Sequence, residues 1–244
     1  MLAIETKNLT KKYKKKTAVE GLELSVNEGE LFALLGVNGA GKTTTIRMLS
    51  CLSKPTEGEC FVCGHSCSDS SSEVKKIVGI SPQDTAVAEN LTVGENLLLM
   101  CGIYGYSPEK TKARTDEMVK LFKMDEITDS RAKTLSGGWK RKLSIAMALI
   151  SEPKVLFLDE PTLGLDVLAR RELWNVVEQL KGKITIILTT HYMEEAEQLS
   201  DRIAIMIDGK MAALGTLSEL EELSGEKGLE NTFVKIAEKF GKGA

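Results

Sequence analysis

The chain has 244 residues, enough for one α/β domain with a smaller insert or for two modest domains. Its 42% apolar and 27% charged residues supply a real core, and a formal net charge of −3 excludes general nucleic-acid binding, which rests on a positive field. No apolar run approaches the roughly 18 residues of a bilayer span, and Met1-Leu2-Ala3-Ile4-Glu5 lacks a signal peptide's apolar core; the expectation is a cytosolic chain whose membrane role runs through a partner.

In chain order, residues 2–9 and 18–26 read as strands around the basic turn Lys11 to Lys16, a solvated hairpin turn in a chain of negative net charge. Asn27 to Glu30 is a turn. Leu31-Phe32-Ala33-Leu34-Leu35 is a continuous apolar run, as in a strand buried on both faces, and residues 42–51 follow as a helix. Ser68 to Ser72 reads as a polar loop. Further buried strands are expected at 77–81, 154–158, 184–189 and 202–207. Between them, 92–122 is helical in pattern, with Thr92 an N-cap and Ser107-Pro108 restarting a second helix as cap and first-turn proline. Helices are also expected at 139–150 and 167–180, the latter with its apolar positions toward the core. Alternation of strands and helices predicts a largely parallel sheet covered by helices, with a helical insert at about 87–150. The tail, 221–244, carries a helical stretch at 230–240 and no chemical motif.

Five cysteines, Cys51, Cys60, Cys63, Cys67 and Cys101, form no disulfide framework and read as reduced thiols. Cys60, Cys63, His65 and Cys67 have zinc-like spacing. Against zinc, Cys60-Phe61-Val62-Cys63 reads as a strand before a Gly64 turn, and alternation along a strand points Cys60 and Cys63 to opposite faces.

Three segments carry chemistry. Gly36-Val37-Asn38-Gly39-Ala40-Gly41-Lys42-Thr43 satisfies G-x-x-x-x-G-K-[ST] and lies between an apolar strand and a helix, as a phosphate loop requires. Its glycines let backbone N–H groups aim inward, the helix start offers donors and partial positive charge, and Lys42 adds a full charge for the β- and γ-phosphates. Thr43 offers a hydroxyl to magnesium and Thr44 one to phosphate. Val155 to Glu160 is an apolar strand ending in two carboxylates, at the edge where open α/β sheets place ligands. Asp159 suits the magnesium side and Glu160 a base that polarises an attacking water. Ser136-Gly137-Gly138 opens another helix and makes a second phosphate surface. Both surfaces cannot easily grip one nucleotide within one copy, so the pair points to two chains sandwiching ATP.

With these segments in this order, residues 1–220 resemble the ATP-binding cassette ATPases, the motor domains of ABC transporters. The matching motifs are Gly36 to Thr44 (Walker A), Gln83 (Q-loop), Leu135 to Gly138 (signature), Val155 to Glu160 (Walker B and its glutamate), Leu163 to Asp166 (D-loop) and His191 (switch histidine). The resemblance implies an α/β fold: a P-loop NTPase, RecA-like ABC ATPase core with an N-terminal β subdomain and an inserted α-helical subdomain, followed by a short helical tail at 221–244. It implies that Tyr13 stacks on adenine, and that Asn38, Gly39, Ala40, Gly41, Lys42, Thr43 and Thr44 bind the phosphates with Ser136, Gly137 and Gly138 of the opposite copy. Thr43, Gln83 and Asp159 would serve magnesium; Glu160, His191, Gln83 and Lys42 would carry catalysis. Asp166 would shape the site across the dimer, or simply cap a helix. Trp139 stands where the signature usually has Gln, and Val37 where the loop commonly has Pro.

The implied function is an ATPase subunit that dimerises around two ATP, as homodimer or heterodimer, and drives transport by an integral membrane permease from the cytoplasmic face. Thr190 to Ala196 and Gly209 to Gly215 look most like the exporter branch handling drugs, peptides or polysaccharides. Three alternatives explain less: a soluble ABC-type ATPase on DNA or ribosomes usually has longer insertions or two cassettes, a non-hydrolysing regulatory subunit would not need Glu160 and His191, and a kinase leaves Ser136-Gly137-Gly138 unused.

Overall fold

The computed structural model describes residues 1–14 and 16–241; Lys15 of the basic turn and the last three residues of the expected tail lie outside the described residues. In chain order the elements are β1 (Leu2–Tyr13), β2 (Lys16–Asn27), β3 (Leu31–Leu35), α1 (Lys42–Leu49), β4 (Glu57–Val62), β5 (His65–Ser66), α2 (Ser71–Ile77), β6 (Val78–Ser81), α3 (Val93–Ile103) and α4 (Pro108–Phe122). They continue with α5 (Gly137–Leu149), β7 (Val155–Asp159), α6 (Val167–Leu180), β8 (Thr185–Thr190), α7 (Met193–Leu199), β9 (Arg202–Ile207), β10 (Lys210–Gly215), α8 (Leu217–Ser224) and α9 (Leu229–Gly241). Among the described residues no helix is long and apolar enough to cross a membrane. The chain divides into two compact bodies, residues 1–75 with 181–244 and residues 76–180.

In the first body an antiparallel sheet runs β2-β1-β4-β5, and β10-β9-β3-β8 runs in a second sheet with β3 parallel to both β8 and β9. All five residues of β3 are buried, which is why it carries five apolar side chains in a row rather than an alternation. β10 pairs antiparallel with β9. Outside this sheet, α9 buries Leu229, Phe233 and Ile236 in a cluster with Leu35, Ile203, Ile205 and Leu220. The helix that the sequence pattern placed in a motif-free tail therefore closes part of this body's core.

The hairpin at the cysteines is tighter than its sequence suggests. Cys63 and Gly64, both at positive φ (46° and 79°), make the turn, so Cys63 ends outside β4. That register sets Cys60 across from Cys67, whose amide donates to the Cys60 carbonyl at 2.9 Å. The Cys67 thiol donates to the Leu49 carbonyl at 3.5 Å and the Cys60 thiol to the Met48 carbonyl at 3.9 Å. The closeness of the two sulfurs holds the Cys60 thiol below the usual thiol range and, with burial, pushes Cys67 well up. All five cysteines are free thiols, and among the described residues no group of three or more ligand side chains is arranged for a metal ion.

The second body contains the parallel pair β6 and β7 with α2's last residues, α3, α4, α5 and α6. Thr92 opens α3 with a complete capping box to Glu95, and Ser107 opens α4 with Pro108 following, as their spacing predicts. Asn96, fully buried in α3, ties down the preceding loop through Ala88 and Thr92. α5 is buried along residues 141–149 and packs on β6, β7, α3, α4 and α6.

Candidate functional site

In the first body the phosphate loop leaves the sheet beside the histidine. Leu35 of β3 pairs with Thr190 of β8, so Gly36 and His191 are the first residues beyond two neighbouring strand ends. The Gly36 amide donates to the Thr190 carbonyl at 3.3 Å. The loop then runs against backbone. A Cβ at Gly36 would stand 2.5 Å from the Met206 carbonyl oxygen and 2.9 Å from the Ala40 Cβ. Gly41 is at φ 105°, and its Cβ would meet the Ala18 carbonyl oxygen at 2.5 Å. Only glycine fits either place.

Lys42 is 5% exposed, and its ammonium turns back into the loop, donating to the carbonyls of Gly36 at 2.6 Å and Val37 at 3.3 Å. Val37, Asn38 and Gly39 are exposed at the crest, with Ala40 buried beneath. Thr43 is exposed and Thr44 half-buried in the first turn of α1, and among the described residues no side chain caps that helix. A helix start of this kind suits an anion as its cap. Tyr13, half exposed at the end of β1, pairs with Lys16, and Lys11 stacks its ammonium 5.3 Å from the Tyr13 ring centre. The Lys16 ammonium lies 3.8 Å from where a Gly39 Cβ would be. The basic turn thus brings a second cation to the phosphate loop. Its run of lysines gave no local signal of that, because only the pairing of β1 with β2 aims one of them. His191 is half-buried with its ring 4.2 Å from that of Tyr192.

The second body holds the remaining candidates. Asp159 ends β7 at 4% exposure and Glu160 follows at 5%, with its backbone in the left-handed region at φ 48°. An L-residue held there costs roughly 1–3 kcal/mol, a strain typical of functional positions. Ser136 caps α5 by accepting from the Trp139 amide at 3.4 Å; Gly137 is exposed with open space where a side chain would be. Its amide end is therefore accessible to a large anion. Trp139 has the Lys142 ammonium 4.2 Å from its ring centre, and Lys142 pairs with Glu172 at 2.5 Å. Asp166 caps α6, accepting from the amides of Leu168 and Ala169 at 2.9 Å each. Gln83 is exposed after β6, and its carbonyl accepts from Arg141 of α5, a residue that sequence reasoning passed over because Lys140-Arg141-Lys142 looks like a solvated charge run.

The first body's donor set suits a nucleotide. A cradle whose walls exclude a Cβ, a lysine turned into it and an uncapped helix start are fitted to phosphate, and the exposed Thr43 hydroxyl beside them is a hard oxygen donor of the kind magnesium takes.

Comparison with known proteins agrees. The family model for ABC transporters matches residues 19–163. The daunorubicin/doxorubicin resistance ATP-binding protein DrrA of Streptomyces peucetius is 42% identical over 224 residues, covering 91% of this chain and 68% of DrrA. Human phospholipid-transporting ATPase ABCA3 is 41% identical over 236 residues, 95% of this chain, but the chain spans only 14% of ABCA3's length. A solved dimer of the cassette MJ0796, in a post-hydrolysis state bound to ADP and Pi, matches with a TM-score of 0.79 at 28% identity, covering 88% of this chain and 98% of that one. The two glycine-opened helix starts, the acidic end of β7 and these matches lead to one statement: the chain belongs to the ABC transporter family and has the fold of its ATPase cassette.

Proposed function

We propose that this chain is the ATP-hydrolysing subunit of an exporter, closing with a second copy around two ATP and passing that motion to an integral membrane permease at the cytoplasmic face. The observation that carries the reading is the presence of two helix starts, at Gly41–Lys42 and at Ser136–Gly137, each built to receive an anion. Lys42 and the loop from Asn38 to Thr44 hold the phosphates of one ATP, with Tyr13 against adenine. Ser136, Gly137 and Gly138 of the opposite copy complete the grip. Phosphates that need donors from both copies draw the two together, and division of their charge on hydrolysis lets them part. DrrA's role in drug resistance favours the export direction.

Thr43, Asp159 and Gln83 would hold a magnesium ion, which would supply positive charge against that of the phosphates. Glu160 orients and polarises the attacking water, and His191 donates to the γ-phosphate. Lys42 stabilises charge as the γ-phosphoryl leaves.

Glu160→Gln keeps the shape of the side chain and removes its basicity. ATP then binds while turnover falls roughly 10²–10⁴-fold. Sedimentation of this variant is expected to show a doubled mass with ATP and a single mass with ADP. A variant that remains monomeric with ATP at high concentration, even beside its permease, would refute the shared-site reading. Wild-type turnover in the variant would remove Glu160 from its role.

A further inference from the structure

Arg141 lies one turn into α5, the helix that Ser136 opens, and is 5% exposed. It donates from Nη1 to the Pro82 carbonyl at 2.5 Å and from Nη2 to the Gln83 carbonyl at 2.5 Å. These two oxygens belong to the peptide groups on either side of the Gln83 Cα. Holding both with one planar, rigid fork limits rotation about the Gln83 backbone bonds, and so fixes the direction in which the Gln83 side chain departs. The residue before them is held by the same helix: the Ser81 hydroxyl lies 2.9 Å from that of Ser144, one turn beyond Arg141. Three successive residues, 81 to 83, are therefore tied to one face of α5.

We propose that Arg141 is a positioning residue for Gln83, linking the glycine-opened start of α5 to the departure angle of that side chain. The link is short. Only Trp139 and Lys140 separate Gly138 from Arg141 along one continuous helix, so a displacement of the helix start is carried to the Gln83 backbone. The inference rests on the ATPase reading above, in which Ser136 to Gly138 meet the opposite copy's nucleotide and Gln83 serves the reaction. Arg141 itself touches no substrate.

The test is a double-mutant cycle on the full chain with Arg141→Met and Gln83→Ala, following steady-state phosphate release and binding of a fluorescent ATP analogue. Gln83→Ala deletes the side chain that Arg141 aims but keeps the carbonyl that it holds. Arg141→Met is expected to lower kcat about tenfold while KM and analogue affinity stay within about twofold. The double variant should then be no slower than Gln83→Ala alone by more than about twofold. Loss in the double variant equal to the product of the two single losses overturns the proposal, as does wild-type kcat in Arg141→Met. If Arg141→Met does not fold, the cycle is run with Arg141→Lys, which keeps the charge but cannot bridge two carbonyls, and the same criteria apply. Absence of phosphate release from wild-type protein would instead sink the ATPase reading, a result separate from a wild-type enzyme that responds to Gln83→Ala and ignores Arg141.

Discussion

The Gly36 amide is hydrogen-bonded to the Thr190 carbonyl, so the loop proposed to grip phosphate and the strand that presents His191 are fastened to each other at their first step out of the sheet. Gly36 is held from the other side by Met206 of β9, whose carbonyl leaves no room for a methyl group. Gly36→Ala must move β9 or the loop. The expected loss is about 1–3 kcal/mol, the usual cost of overpacking, together with weaker nucleotide binding. Urea midpoints and titration with a fluorescent ATP analogue measure the two effects separately.

Lys42 braces the loop through the carbonyls of Gly36 and Val37. Lys42→Ala removes both the brace and the charge proposed to meet phosphate. Affinity for ATP should fall by more than about tenfold, while the circular dichroism spectrum stays that of the parent, since a charged hydrogen bond is worth roughly 1.5–3 kcal/mol. Undiminished ATP affinity would remove Lys42 from the binding site.

Trp139 is half-buried, one residue beyond Gly138, with Lys142 over its ring. A nucleotide bound at Ser136 to Gly138, as proposed, would change the field at this indole, and the other tryptophan, Trp174, lies in α6. ATP should therefore alter intrinsic fluorescence in the Glu160→Gln protein, and Trp139→Phe should abolish the change. A signal that persists in Trp139→Phe assigns it to Trp174 instead.

The motifs were legible because each is a local pattern with a local cause. The strand β3 and the caps at Thr92, Ser107 and Ser136 follow from neighbouring residues alone. What stayed hidden depends on partners far along the chain. β1 continues through Lys11 and Lys12 to Tyr13, beyond the expected end at residue 9, because β2 pairs with it there. β10 has a short, weak pattern and is made a strand by β9. α2 starts inside a serine run that composition marks as loop, and α8, Leu217–Ser224, straddles residue 220, where the cassette was expected to give way to a tail. Arg141 offered least of all, since nothing local separates a buried arginine from the exposed kind.

The anchoring of α9 gives a stability test. Phe233 is 7% exposed in a cluster with Leu220 and Ile236. Phe233→Ala is expected to cost about 3–5 kcal/mol through lost contact and a residual cavity. Equilibrium unfolding in urea checks it; a change under about 1 kcal/mol would mean that α9 is not part of the cooperative fold.

At the start of α8, Thr216 and Glu219 cap each other, and the Thr216 amide donates to the Glu219 carboxylate at 2.7 Å. That bond, then the Thr216 hydroxyl, holds the Glu219 carboxyl below its ordinary range. A depressed folded-state value means that the stabilisation is complete above the unfolded value and disappears as pH falls through the folded one. Glu219→Gln keeps an acceptor in the capping box but does not titrate there. On acidification the wild type should lose more stability than Glu219→Gln, read from urea midpoints between about pH 7 and pH 3. Thr216→Ala should cost about 1 kcal/mol at neutral pH.

With the role proposed for Glu160, its left-handed backbone sets endurance against output. Asparagine or glycine would sit more comfortably in that turn, so variants selected only for survival on heating should drift toward them at this position and cease to work. A population required to keep turning over fuel should hold glutamate there and carry the discomfort.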